Sequence, residues 1–320
     1  MIQSRSVSAD RGPPPAAGSL VKAIVLGAGG QLGAELVLEL ARRGHEVTAL
    51  GRGQLDITDA QAVRQTLLRQ QPDWVINSAA YNQVDLAEKE PQAAMAVNGF
   101  AVHSLATGCR ETGATLVHFS TDHVFDGTKT EPYTESDPPS PPSAYGLSKL
   151  AGEWYARINC SKRYVFRIAG VFGPAGRYTR RGNFPELVIR KAHEGSPMKV
   201  VDDFFATPTY APALASRVID ALEKEIPFGL HHLGGSVSIS WYQWALKILD
   251  QTGLRAEIAP TNRREYKTAA VRPRHAGLSN ARIEAAGIER MPPLDEALTD
   301  YLRRREKVKP PTGRPAQAGA

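Results

Sequence analysis

Tyr145 and Lys149 stand four residues apart in "SAYGLSKLAGE", a stretch of helical composition. Residues at i and i+4 share a helix face, so the phenol and the ammonium can enter one space. A lysine charge beside a tyrosine favours the phenolate and lowers a reference pKa of about 10. A phenol tuned in this way can hand a proton to a carbonyl oxygen, or take one back, near neutral pH. By itself the spacing is common, and a chance pair on a solvated helix face is the better account of it. Two further clusters weigh against chance. "FSTDHVFDG" places Ser120, Thr121 and Asp122 at the end of an apolar, strand-like run, the edge at which open α/β sheets bind ligands. A hydroxyl there can hydrogen-bond a carbonyl, although a Ser-Thr-Asp turn also serves as a plain loop cap. "GAGGQLG" sets Gly27, Gly30 and Gly33 between a strand-like and a helical run, with G-x-x-G-x-x-G spacing. Glycines in that register permit a tight turn, close approach of backbone to a pyrophosphate, and close helix–sheet contact.

These residues need a scaffold, and the hydrophobic pattern supplies one. "VKAIVL" reads as a strand and "QLGAELVLELARRG" as an amphipathic helix closed by Gly44. Strand-like "HEVTAL", helical "DAQAVRQTLLRQQ", strand-like "DWVINSAA", helical "PQAAMAVNGFAVHSLATGCRETG" and strand-like "ATLVHFS" follow. The helix of Tyr145 and Lys149 leads into "YVFRIAGVFG". This alternation predicts an α/β fold, a doubly wound parallel sheet with helices on both faces. Beyond it the pattern loosens into single strands ("MKVVDD", "GLHHLGG", "AEIAP") and helices ("FPELVIRKAHEG", "SWYQWALKILDQTG"). The expected organisation is a leader over residues 1–20, a dinucleotide-binding domain over 21–170, a smaller mixed lobe over 171–302, and a basic tail over 303–320.

Composition narrows the classes of function. With 42% hydrophobic and 22% charged residues, the chain has the make-up of a soluble globular protein. Nothing in it reads as a membrane span or a secretory signal, and two cysteines argue against a disulfide framework and for the cytoplasm. The formal charge is +6, of which Arg5 and Arg11 against Asp10 give +1 before residue 21. Arg303, Arg304, Arg305, Lys307, Lys309 and Arg314 against Glu306 give the other +5. The body is thus neutral overall, which speaks against nucleic-acid binding. Histidines and cysteines lack ligand spacing, so no metal site is expected. The tryptophans Trp74, Trp241 and Trp244 read as core.

Together the quoted glycine, Ser-Thr-Asp and Tyr-x-x-x-Lys segments, with "LDITD", "VINSAAYNQVDLAE", "GNF", "VVDDFFATPTY" and "RPRHAGLSNARI", resemble the extended short-chain dehydrogenases/reductases. Within that group the resemblance is to dTDP-4-dehydrorhamnose reductases, and it covers residues 21–300. It implies Thr121, Tyr145 and Lys149 as the catalytic trio, with Lys149 also on the nicotinamide ribose. It further implies that Gly27, Gly30, Gln31, Leu32, Gly33, Arg52, Asp56, Ile57, Ala79 and Ala80 hold the dinucleotide. Asn82, Val84, Asp85, Thr121 and Asp122 would lie near the sugar, with Asn183 and Arg272 approaching the nucleotide-sugar from the second lobe. The implied reaction is reduction of the C4 ketone of a 4-keto-6-deoxy nucleotide sugar, with a homodimer as the assembly.

Several positions modulate that expectation. NAD-preferring sites carry an acid after the second strand, whereas "TALGRGQLD" has Arg52, a residue able to accommodate a 2′-phosphate and favour NADPH over NADH. Asp56 can contact the adenosine or simply cap the next helix. Gly170 stands where rhamnose-pathway reductases carry an aromatic, and "RPRHAGL" has His275 and Ala276 at polar positions, so the sugar is less defined than the chemistry. His123 replaces the glutamate that dehydratases use for elimination. An epimerase, another nucleotide-sugar reductase and a non-catalytic NADP-binding regulatory subunit, of the kind the methionine adenosyltransferase beta subunit represents, are the alternatives.

Overall fold

The computed structural model describes residues 20–178 and 182–307. The chain runs β1 (Lys22–Leu26), α1 (Gln31–Arg42), β2 (Glu46–Leu50), α2 (Ala60–Gln70), β3 (Trp74–Asn77), α3 (Val84–Ala87), α4 (Pro91–Met95), α5 (Ala101–Thr112), β4 (Thr115–Thr121) and α6 (Ala144–Asn159). It continues as β5 (Arg163–Ile168), β6 (Val171–Phe172), α7 (Phe184–His193), β7 (Met198–Val201), β8 (Phe205–Ala206), β9 (Thr209–Tyr210), α8 (Ala211–Glu223) and β10 (Gly229–His232). The last elements are β11 (Ile239–Ser240), α9 (Trp241–Thr252), β12 (Ile258–Thr261), α10 (Ala281–Ala285) and α11 (Leu294–Arg305).

Six strands form one sheet in the order β10-β5-β4-β3-β1-β2, every pair parallel. The inner strands are apolar along nearly their whole length because helices cover both faces. On one face α1 and α8 bury Leu32, Leu36, Leu40, Leu214 and Val218 against Val25, Ile76 and Phe166. On the other, α2, α5 and α6 bury Val63, Leu67, Leu105 and Ala156 against Ile24, Val75 and Leu116. Strand order reverses between β1 and β3, and a crevice opens there at the carboxyl ends. The parallel, doubly wound sheet expected from the alternation is the fold observed.

Three features differ from the expectation. Gly229–His232, read as part of the smaller lobe, is the sixth strand of the main sheet, paired with β5. The stretch read as one helix from Pro91 to Gly113 carries a π turn at Ala96–Phe100 between α4 and α5. The basic stretch read as a tail from Arg303 instead continues α11 to Arg305. There Arg304 meets the buried Glu35 at 3.6 Å and Arg305 pairs with Glu186 at 2.7 Å, so these charges fasten the helix down. Lys309 and Arg314, and the leader before Leu20, lie outside the described residues.

The smaller lobe has its own core, in which α7, α9 and α11 pack Val188, Trp244, Ile248, Leu298 and Tyr301 around Phe172. Trp244 is buried there as expected, while Trp241 stands edge-on to Phe184 with ring centres 4.7 Å apart. A capping box between Ser240 and Gln243 starts α9, and Gly253 in a left-handed conformation ends it.

Candidate active site

Gly27 leaves β1 with φ +72, and its α-carbon comes so close to β3 that an added Cβ would stand 2.6 Å from the Ala79 nitrogen. Only glycine satisfies both conditions. Gly30 then begins α1 with no side-chain cap and no acid in the first turn. The N–H groups of Gln31, Leu32 and Gly33 therefore point out of a positive helix end, the arrangement that receives a phosphate. Gly29 beside them has open space around it. This crevice fits a dinucleotide pyrophosphate.

Around the crevice, the expected contacts divide. Ala79 and Ala80 follow β3 at its rim, Ala80 exposed. Arg52 projects into solvent after β2, its Nε 3.3 Å from Asp56 Oδ2. Asp56 does not cap α2; Asp59 does, accepting from the Ala62 N–H at 2.9 Å. The Asp56 carboxyl instead accepts the N–H and hydroxyl of Thr58, which hold it below the usual carboxylate range. Ile57 is buried in the core, so only its backbone is available to a ligand. The Gln31 side chain turns toward the second lobe, its Oε1 accepting from Gly173 N at 3.2 Å and Asn183 Nδ2 at 3.1 Å.

Tyr145, the expected proton donor, sits on α6. Ser143 caps that helix by accepting from the Gly146 N–H at 3.2 Å. Gly146 packs so tightly on the turn after β4 that a Cβ would fall 2.3 Å from the His123 carbonyl. That contact fixes Tyr145 beside Thr121, Asp122 and His123. The Tyr145 ring meets the His123 ring edge-on at 5.5 Å. Burial raises the phenol to about 12, an effect that the nearby Thr121 hydroxyl partly offsets and Asp122 reinforces. The phenol is thus raised by its burial, not lowered as its spacing from Lys149 led one to expect. Lys149 Nζ donates to the Phe119 carbonyl, and burial lowers the ammonium to about 8. Thr121 donates its hydroxyl to Asp122 Oδ1 at 2.9 Å, so hydrogen bonding a substrate carbonyl requires that hydroxyl to rotate.

A cavity of about 690 Å³ opens between this edge and the smaller lobe. Val84, Asp122 and His123 line it from the sheet side, and Gly170 contributes a wall with no side chain. Phe205, Trp241 and Arg272 line it from the other. Arg272 reaches back across the opening to Asp85 with two hydrogen bonds, at 3.1 and 2.6 Å. Asp85 and Arg272 are thus brought together, while Asn82 is exposed on the loop before α3.

Asn183 is placed otherwise. It caps α7 by accepting from the Glu186 N–H, accepts the Tyr301 hydroxyl, and donates to Gly173 O and Gln31 Oε1. With both ends of its amide engaged and only 8% of the residue exposed, it braces the two lobes rather than offering a free amide. His123 was expected only as the residue that replaces a glutamate. It lines the cavity, its Nδ1 is shielded from solvent with no hydrogen-bond partner among the described residues, and burial lowers its pKa. Its position two residues after Thr121 was the available signal. His275 stacks on Phe205 at 4.7 Å, and Ala276 is part of the cavity wall. Among the described residues no group of three acids, histidines or cysteines could hold a metal ion.

Comparison with known proteins agrees with this geometry. Residues 21–307 match the model of the RmlD substrate binding domain. The spore coat polysaccharide biosynthesis protein SpsK of Bacillus subtilis is 38% identical over 90% of this chain and 99% of its own length. The dTDP-4-dehydrorhamnose reductase of Streptomyces griseus is 39% identical over 87% of this chain and 91% of its own. Among solved structures, the dTDP-4-dehydrorhamnose reductase of Bacillus anthracis in complex with NADP superposes with a TM-score of 0.84 at 31% identity, over 89% of this chain and 100% of that one. A capless α1 behind a glycine turn, a tyrosine on the β4 edge and a match spanning nearly every described residue converge: the chain belongs to the RmlD substrate binding domain family, within the extended short-chain dehydrogenases/reductases.

Proposed function

We propose that this protein is an NADPH-dependent reductase of nucleotide-activated 4-keto-6-deoxy sugars, converting dTDP-4-dehydrorhamnose to dTDP-L-rhamnose. The observation that carries the proposal is the meeting of Thr121, Asp122, His123 and Tyr145 at the β4 edge, where Asp122 and His123 form a wall of the cavity. The cofactor, when bound, supplies a hydride to the C4 carbon. Tyr145 gives its proton to the oxygen that becomes the alcohol; held at about 12, the phenol is fully protonated at neutral pH. Thr121, released from Asp122, orients that oxygen. Lys149 contributes its charge from one helical turn further along α6. The aromatic side chains of Phe205 and Trp241 suit a nucleotide base, and the Arg272 guanidinium suits its diphosphate. The buried free thiols of Cys109 and Cys160 suit a reducing compartment, and we place the reaction in the cytoplasm.

The test is loss of NADPH absorbance on mixing purified protein with dTDP-4-dehydrorhamnose and a panel of other 4-keto nucleotide sugars. Turnover on the first supports the proposal. No turnover on any, together with a stable hetero-partner in pull-down, would replace it with a regulatory, NADP-binding role.

A further inference from the structure

We propose that Glu153 is a positioning residue of this reaction: its buried carboxylate, one helical turn beyond Lys149, keeps the lysine charged beneath the active site. The inference rests on the reductase function proposed above. Glu153 Oε1 accepts from Ser120 Oγ at 2.5 Å, and the carboxylate is gripped by Arg167 through Nε at 2.8 Å and Nη2 at 2.7 Å. Ser120 and Arg167 face each other across β4 and β5, so two sheet strands hold the helix residue in place. Arg167 is held in turn by the face of the Phe125 ring at 4.9 Å and by His232 Nε2 at 3.4 Å.

Lys149 is only 3% exposed, and its Nζ donates to a carbonyl that carries no full charge. Among the described residues no carboxylate forms an ion pair with it. Glu153 lies on the same helix face at i+4, the position where opposite charges help each other. The other titratable groups of this region are Tyr145 one turn before the lysine on α6, His118 on β4 and Arg167, the partner of Glu153, on β5. His118 is fully buried and held neutral, so it neither adds to nor opposes the charge. Arg167, paired with the Glu153 carboxylate, carries the opposing charge. Burying a carboxylate and a guanidinium costs desolvation on both, and apolar side chains of equal size would pack α6 on the sheet as well. What they could not do is place a negative charge one helical turn from a buried ammonium.

The experiment follows Lys149 directly. In protein carrying lysine labelled with ¹³C at Cε, the Lys149 resonance is identified by its loss in Lys149→Arg, and its titration is compared with that of Glu153→Gln. The midpoint is expected near 8 in the unaltered chain and about one pH unit lower in the variant, where the Glu153 charge is gone and that of Arg167 remains. The alkaline fall of kcat/KM should move down with it, which is about a fivefold loss at pH 8. Glu153→Gln combined with Arg167→Met removes both charges, leaves no unpaired ion, and should shift the midpoint in the same direction by less. It keeps the test open if the single variant does not fold. An unchanged midpoint in a folded variant overturns the inference. Absence of turnover in the unaltered chain would instead sink the proposed reaction, and the Lys149 midpoint would still decide this point.

Discussion

Cofactor choice is the point at which one side chain can be set against one phosphate. Arg52 leaves β2 with 88% of its side chain exposed, and its Nε touches Asp56 at 3.3 Å. The 2′-phosphate that distinguishes NADPH from NADH carries close to two negative charges, and a charge-assisted hydrogen bond to arginine contributes roughly 1.5–3 kcal/mol. Exposure and the competing Asp56 carboxylate place Arg52 at or below the bottom of that range, near 1.4 kcal/mol, so the expected preference for NADPH in kcat/KM is about tenfold. Arg52→Asp removes the donor, adds a negative charge beside Asp56 that repels the phosphate, and supplies an acceptor for the ribose hydroxyls. The ratio of kcat/KM for NADPH to that for NADH should then fall below one. Steady-state rates with each cofactor at saturating keto sugar measure the ratio, and raising the salt from about 0.05 to 0.5 M should shrink the unaltered protein's preference. Equal efficiency with both cofactors in the unaltered protein would refute the reasoning, as would a ratio that does not move in the variant. Arg52 would then be a solvated loop residue.

Tyr145→Phe should lower kcat by about two to four orders of magnitude and leave the NADPH dissociation constant nearly unchanged, because only the proton donor is lost; fluorescence titration and stopped-flow rates separate the two, and a near-normal kcat would exclude the phenol as the acid. Gly33→Ala puts a Cβ 2.3 Å from the Gly27 carbonyl, and should cost about 1–3 kcal/mol in stability and weaken NADPH binding together; a normal melting temperature with normal binding would show that the turn can yield. Deleting residues 308–320 should leave the melting temperature unchanged, whereas deleting from Arg303 onward removes the pairs with Glu35 and Glu186 and should lower it by several degrees. Calorimetry on the two truncations checks both statements.

Much of the scaffold is legible in the sequence because its determinants are local. Helix and strand periodicity is set within about ten residues, so the β-α alternation could be read directly. Gly27, Gly30 and Gly33 imply a turn that only glycine can make, and the structure shows the same turn with α1 uncapped behind it. The four-residue step from Tyr145 to Lys149 likewise needs nothing beyond helix geometry. Other features depend on distant partners. "GLHHLGG" reads the same in either lobe, and only the packing of α8 on α1 delivers it to the edge of β5. Arg272 finds Asp85 across 187 residues, and Arg304 and Arg305 leave a nominal tail because Glu35 and Glu186 await them. Asn183 could be expected near a ligand from its motif, but Tyr301, 118 residues further on, occupies its oxygen. The tyrosine shows the division most clearly. Sequence spacing sets which charge stands near the phenol, whereas its acidity depends on how much water the fold removes, and desolvation outweighs a lysine whose Nζ is turned to the Phe119 carbonyl.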